Sequence, residues 1–280
     1  MALKITSILV SVDWLFENLT DENLIILDAT IPNINSKNTI SSDKTQIKNA
    51  RFIDLKNEFS DTDAPFPNTV LSPVKFELKA QELGINRKSS IIVYDDLGVY
   101  SSPRVWWMFS LMGFTNIAVL NDGLPGWKAK NYPVENPTKT TISKGDFKVD
   151  YNPNKLVFTA DVLSASKNKD FLILDARSSG RFFGTEPEPR NDSKSGRIPN
   201  SKSLPYELVL NETKLKSAKE IQQIFSKLNP ENRKMIFTCG SGITASILNF
   251  SAVVAGYKNT SVYDGSWTEW GSNTNLPIEI

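Results

Sequence analysis

The chain repeats itself once, and this duplication restricts its fold more than any other feature. LIILDAT (residues 24–30) resembles FLILDAR (171–177), and SSIIVYDDLGVYSSPRVWWMFSLMGFTNIAVLNDG resembles RKMIFTCGSGITASILNFSAVVAGYKNTSVYDG. Matching positions stay 142 to 147 residues apart: Asp28 with Asp175, Asp95 with Cys239, Asp122 with Asp264. An Asp-Gly pair and a nearby Trp close each copy, at Trp127 and at Trp267 with Trp270. Solenoid units recur every ~20–50 residues, so a period this long means a duplicated domain. A chain of 280 residues accommodates two such domains, each with its own core. The boundary is expected in the polar, Pro-bearing stretch at 132–155, which gives domains at 1–140 and 150–280.

Within each copy, short apolar runs alternate with helical patterns. Strands are predicted at Leu24–Asp28, Ile91–Tyr94, Ile117–Leu120, Phe171–Asp175, Met235–Thr238 and Ser261–Tyr263. They are apolar on both faces, as strands between helix layers are. Helices are predicted at Val74–Leu83, Pro103–Met112, Ala218–Leu228 and Gly242–Ala255, with spacings such as Ile221, Ile224, Phe225 and Leu228. This alternation predicts an α/β fold with mainly parallel sheets. Ligands of such sheets bind beyond the carboxyl ends of the strands.

Two counts narrow the chemistry. There is one cysteine, which excludes an intramolecular disulfide, and there is no histidine. Ser-His-Asp triads, Cys-His pairs and His-ligated zinc are therefore excluded. No metal-ligand cluster is visible and no cofactor is required. The formal net charge of +1 argues against a bulk nucleic-acid binder. No apolar run is long enough to span a membrane. The start of the chain reads as a strand and a helix, not a signal peptide, and a cytoplasmic location is expected.

Cys239 lies in M-I-F-T-C-G-S-G-I-T-A-S-I-L, where a strand runs into a glycine-bearing turn and then a helix. Gly240 and Gly242 allow successive N–H groups to turn inward as an anion-binding nest. The helix N-terminus adds positive potential. Such surroundings favour the thiolate, which is the nucleophile. The competing reading is a small buried hydrophobe, the commoner fate of a lone intracellular cysteine. Asp28 and Asp175 read as acids bonding backbone at strand ends, and the tryptophans as core and cleft wall.

The loop, with DGSWTEW and DARSSGRFFGTEPEPR (175–190), resembles the tandem rhodanese-like sulfurtransferases, and within them the 3-mercaptopyruvate branch, whose active loop typically reads CGSGVT. The resemblance covers nearly the whole chain. It implies two rhodanese-like domains, the second catalytic and the first not, because Asp95 stands at the cysteine position. It also implies a Cys239 persulfide, a loop of Gly240, Ser241, Gly242, Ile243 and Thr244, and substrate-carboxylate binding by Arg181 and Arg190. A guanidinium fork suits a carboxylate. The competing reading of both arginines is a surface ion pair with Glu186 or Glu188. Ser241 and Thr244 are donors to sulfur or simple caps.

Two departures from the family stand out. Members are described with a Ser-His-Asp set: Ser241 matches the serine, but Asn68 stands at the histidine and Lys56 at the acid. The familiar GHIPG reads Gly196-Arg197-Ile198-Pro199-Asn200.

The expected activity moves sulfur from 3-mercaptopyruvate to a small thiol, thioredoxin or cyanide, releasing pyruvate. Alternatives are thiosulfate as donor, which cations in the loop would favour, and a low-turnover persulfide- or redox-sensing module. A Cys-dependent phosphatase needs an arginine six residues after the cysteine, where Ala245 stands.

Overall fold

A computed structural model describes residues 3–31, 45–138, 141–190 and 192–280. The chain divides into two compact units. Unit 1 comprises 1–60, 71–151 and 212–214; unit 2 comprises 61–70, 152–211 and 215–280.

Unit 1 contains β1 (Leu9–Val10), α1 (Val12–Glu17), β2 (Leu24–Asp28), β3 (Gln46–Ile47), β4 (Arg51–Phe52), α2 (Pro73–Glu82), β5 (Ser90–Tyr94), α3 (Ser102–Leu111), β6 (Ile117–Leu120), α4 (Gly123–Ala129) and β7 (Val134–Glu135). Its main sheet runs β1-β6-β5-β2-β4, and every neighbouring pair is parallel. Val10, Ile26, Ile92, Tyr94 and Trp127 form one of its cores. Phe76, Phe109 and Phe147 form another aromatic contact set, with ring centroids 5.0 to 6.0 Å apart. Phe147 is fully buried, and β7 pairs with β3. The polar stretch read as linker therefore carries structure, too short or too isolated in sequence to show periodicity.

Residues 152–280 contain β8 (Leu156–Val157), α5 (Thr159–Ala165), β9 (Phe171–Asp175), α6 (Ser179–Phe182), β10 (Lys202–Ser203), β11 (Leu210–Asn211), β12 (Lys214–Leu215), α7 (Ala218–Leu228), β13 (Lys234–Thr238), α8 (Ile243–Val254), β14 (Thr260–Tyr263) and α9 (Ser266–Ser272). The sheet runs β10-β9-β13-β14-β8, again all parallel. Read in the same direction, the two orders are one topology. In register, Asp28 pairs with Tyr94 and Asp175 with Thr238, so the residues leaving these central strands are Asp95 and Cys239.

Local chemistry accounts for the helix ends. Ser217 and Glu220 form a capping box on α7, whose Ile221 and Phe225 are buried. Ser72 caps α2 with Pro73 in its first turn. The Trp106, Trp107, Trp127, Trp267 and Trp270 side chains are buried. Among the described residues, no helix is long and apolar enough to cross a membrane.

Candidate active site

Cys239 leaves the carboxyl end of β13 and is 2% exposed. The next three residues turn the chain into α8, with Gly242 as its N-cap at φ 84°. That left-handed value favours glycine. It aims the Gly242 N–H at Cys239 Sγ, 3.1 Å away. The sulfur thus receives an amide at a helix start, where negative charge is favoured. Gly242→Ala is expected to destabilise the unit by about 1–2 kcal/mol and to slow sulfur uptake by Cys239. Thermal denaturation and the mass of the loop peptide measure the two effects.

α9 closes the other side of the loop. Ser266 Oγ accepts from Cys239 N (3.1 Å) and donates to Tyr263 O (2.8 Å). Its single proton is thereby used, so its 3.9 Å approach to Sγ is packing. Thr268 pins the next residue: its N and Oγ1 both donate to Gly240 O, at 2.9 and 2.6 Å. Thr268 Oγ1 also accepts from Arg190 Nη1 at 2.7 Å. Arg190 is thus anchored one side chain from the loop.

Arg181, on α6, reaches the same place. A Cβ on Gly240 would stand 3.1 Å from Arg181 Nη2, so the glycine admits the guanidinium over the loop. Arg181 Nη2 and Nε donate to Glu188 at 2.6 and 3.2 Å. The Glu188 carboxylate also accepts from Arg177 Nη1 at 2.7 Å. Arg177 is fully buried, forks onto Asp175 through Nε and Nη2, and lies 4.2 Å from the Trp267 ring centroid. Burial opposes its charge, but Asp175 and Glu188 outweigh this and hold its pKa above the ordinary value.

This arrangement alters two expectations. The Arg181–Glu188 pair exists, but it is part of a buried chain of charges: Glu188 is 4% exposed and Arg181 17%. Glu186 instead accepts from Ser178 Oγ. Asp175 bonds Arg177 N, as expected at a strand end, and adds the buried ion pair. The sequence does not single out Arg177, Ser266 or Thr268, and it shows Glu188 only as a surface partner of the arginines. The change from DAT to DAR between the copies is the one signal that marks Arg177.

Ser241 is buried, and its Oγ accepts from Asn68 Nδ2 at 2.9 Å. Ile243 is buried at the start of α8 and Thr244 is half-buried beside it. Lys56 lies exposed in unit 1, in a turn where its N–H donates to Asp54. Arg197 pairs with Glu279.

The corresponding loop of unit 1 is filled by its own side chain. Asp95 Oδ2 accepts from the N–H groups of Tyr100, Ser101 and Ser102 and from Ser102 Oγ, at 2.6 to 3.0 Å. No arginine replaces Thr30 beside it. Burial, opposed by its hydrogen bonds and assisted by Asp95, raises the Asp28 pKa. Loss of water first, then the charges of Asp95 and Asp28, raise Asp96 to about 6. Ionised Asp96 therefore costs unit 1 stability above pH ~6, a cost absent below the unfolded value of ~4. Asp96→Asn is expected to raise the melting temperature at pH 8 and leave it nearly unchanged at pH 4.5.

Residues 11–130 and 159–273 each match the rhodanese-like domain family. The chain belongs to the rhodanese-like sulfurtransferases. It is 32% identical over 278 residues to the 3-mercaptopyruvate sulfurtransferase of Escherichia coli, covering 98% of each chain. It is 35% identical to thiosulfate/3-mercaptopyruvate sulfurtransferase 1, mitochondrial, of Arabidopsis thaliana, over 96% of this chain and 77% of that one. The crystal structure of Escherichia coli SseA, described as a 3-mercaptopyruvate enzyme, superposes with a TM-score of 0.83 at 30% identity, over 94% and 99% of the two chains. This sulfurtransferase thus has the two-domain α/β fold expected from its repeat.

Proposed function

We propose that this sulfurtransferase moves sulfane sulfur from 3-mercaptopyruvate through a persulfide on Cys239 to a thiol acceptor, with release of pyruvate. The observation that carries this reading is Arg181 Nη2 standing over Gly240, next to the nucleophile. Arg190, held by Thr268, adds a second cation close by. A 2-oxo acid thiol presents a carboxylate to these arginines and a sulfur to Cys239. The loop itself carries no cation at Gly240 or Ser241, which disfavours a dianionic donor.

The first half-reaction balances without an external base. The Cys239 thiolate attacks the substrate's thiol sulfur. A sulfur–sulfur bond forms as the carbon–sulfur bond breaks, and its electron pair passes into the ketone as pyruvate enolate. The persulfide keeps the substrate's thiol proton, which then passes to the enolate carbon, leaving Cys239–S–S⁻ and pyruvate. Arg181 and Arg190 hold the carboxylate and stabilise the charge developing beside it. In the second half-reaction a small thiol, thioredoxin or cyanide removes the outer sulfur, giving ping-pong kinetics.

Asp95 supports the persulfide assignment. Its carboxylate oxygen lies one bond beyond Cγ, as a persulfide's outer sulfur lies one bond beyond Sγ. In unit 1 that atom collects three amides near a helix start. The same filling supports a non-catalytic role for the first copy, which has no nucleophile and carries acids that repel an anionic donor.

Thiosulfate is the second reading, favoured by the double name of the Arabidopsis relative. The test compares kcat/KM for the two donors while following pyruvate and the mass of the Cys239 peptide. A higher kcat/KM for 3-mercaptopyruvate, with one sulfur atom gained on Cys239, is expected. A clear thiosulfate preference overturns the donor assignment.

A further inference from the structure

Asn68 lies 173 positions before Ser241, yet its Nδ2 donates to both Ser241 Oγ (2.9 Å) and Ser241 O (3.2 Å). The carbonyl fixes the orientation of the amide. A carbonyl oxygen only accepts, so the atom facing it must be the NH₂ nitrogen. The same nitrogen then meets Ser241 Oγ as donor, and the hydroxyl must accept from it. The hydroxyl's one proton is thereby turned away from Asn68. Among the described residues it is given to no protein group. Ser241 is the only residue between Cys239 and α8 whose side chain can donate a hydrogen bond. Its neighbour Gly242 already directs an N–H at Sγ.

We propose that Asn68 is a positioning residue that makes Ser241 a one-way donor toward the reacting sulfur, so that sulfur transfer proceeds without a titrating relay. This deepens the proposed function and rests on it. A carboxamide neither takes up nor releases a proton at physiological pH. The chain contains no histidine that could do so. The balanced half-reaction above needs no base, only charge stabilisation at sulfur and at the enolate. A hydroxyl proton given to the outer sulfur stabilises the persulfide anion left once that sulfur's proton has passed to the enolate carbon. Asn68 has φ 61°, a left-handed conformation that Asn, Asp and His tolerate better than other side chains. Aspartate and histidine can therefore be exchanged there with little backbone strain.

The two substitutions separate this role from a structural one. In Asn68→Asp the carboxylate only accepts. It draws the Ser241 proton to itself and faces the Ser241 carbonyl unfavourably. We expect kcat with 3-mercaptopyruvate to fall about 10-fold or more, with KM, set by the arginines, within about 2-fold. In Asn68→His the ring is a donor at both nitrogens when protonated and has an acceptor nitrogen when neutral. The ratio of its kcat to wild-type kcat should therefore decrease as pH rises through about 6.5. A histidine acting as general base gives the opposite slope.

The experiment measures kcat and KM from pH ~5.5 to 8 for all three proteins, with circular dichroism to check folding. Should the aspartate variant misfold, the histidine ratio still decides. A ratio that is flat or rises with pH overturns the proposal. Mass measurement of wild-type Cys239 after 3-mercaptopyruvate separates the two levels. A persulfide with a flat ratio overturns the Asn68 role alone; no persulfide overturns the sulfur-transfer reading and this inference with it.

Discussion

Cys239→Ser is expected to abolish pyruvate release from 3-mercaptopyruvate, by about 10³-fold or more. The reason lies in both the atom and its surroundings. Serine is not ionised at neutral pH, and the chain has no histidine to remove its proton. An oxygen also cannot store the transferred sulfur as a persulfide. The substitution is small at a buried site, and the Gly242 N–H can donate to a serine oxygen as it does to Sγ. Melting temperature should therefore change little. Steady-state pyruvate release and intact mass after donor treatment provide the measurement. A serine variant that releases pyruvate at the wild-type rate sinks the nucleophile assignment.

Glu188→Ala is expected to have the second large effect, on stability and substrate affinity together. Glu188 holds Arg177 and Arg181 at once, at 2.7 and 2.6 Å. Removing it leaves a fully buried Arg177 with Asp175 as its remaining charge partner and frees Arg181 from its fork. Breaking a buried pair from one side costs about 3–5 kcal/mol. Losing the orientation of a bidentate anion binder should raise KM for 3-mercaptopyruvate about 10-fold or more. Glu188→Gln keeps the shape and some hydrogen bonds, so it should lie between wild type and alanine. Thermal denaturation and the separate values of kcat and KM check both effects. A Glu188→Ala protein with unchanged KM would detach this network from substrate binding.

The fold was legible because its signals are local and doubled. α7 spans Ala218–Leu228, where capping and apolar spacing agree. β2 and β9 each end on the aspartate of an LILD-type run that is buried on both faces. The Cys239 loop was legible for the same reason: strand, glycine turn and helix follow one another within a dozen residues. Of the side chains around it, the resemblance marked Arg181, Arg190 and Asn68, but not the bonds they make. Ser241 meets Asn68 from a position 173 residues away, and Arg190 meets Thr268 from 78 residues away. Such contacts leave no periodic trace in the sequence.

Sequence alone determined the duplication, the single cysteine, the absence of any imidazole and the glycine loop around Cys239. Those depend on residue identity and near-neighbour geometry. Tertiary structure decided which groups gather around that loop. It turned Arg181 and Glu188 from a surface pair into a buried chain of charges, fixed Arg190 through Thr268, and made Asn68 a donor to Ser241. Burial removes the water that would otherwise compete for each of these bonds, and only the folded chain determines which groups lose it together.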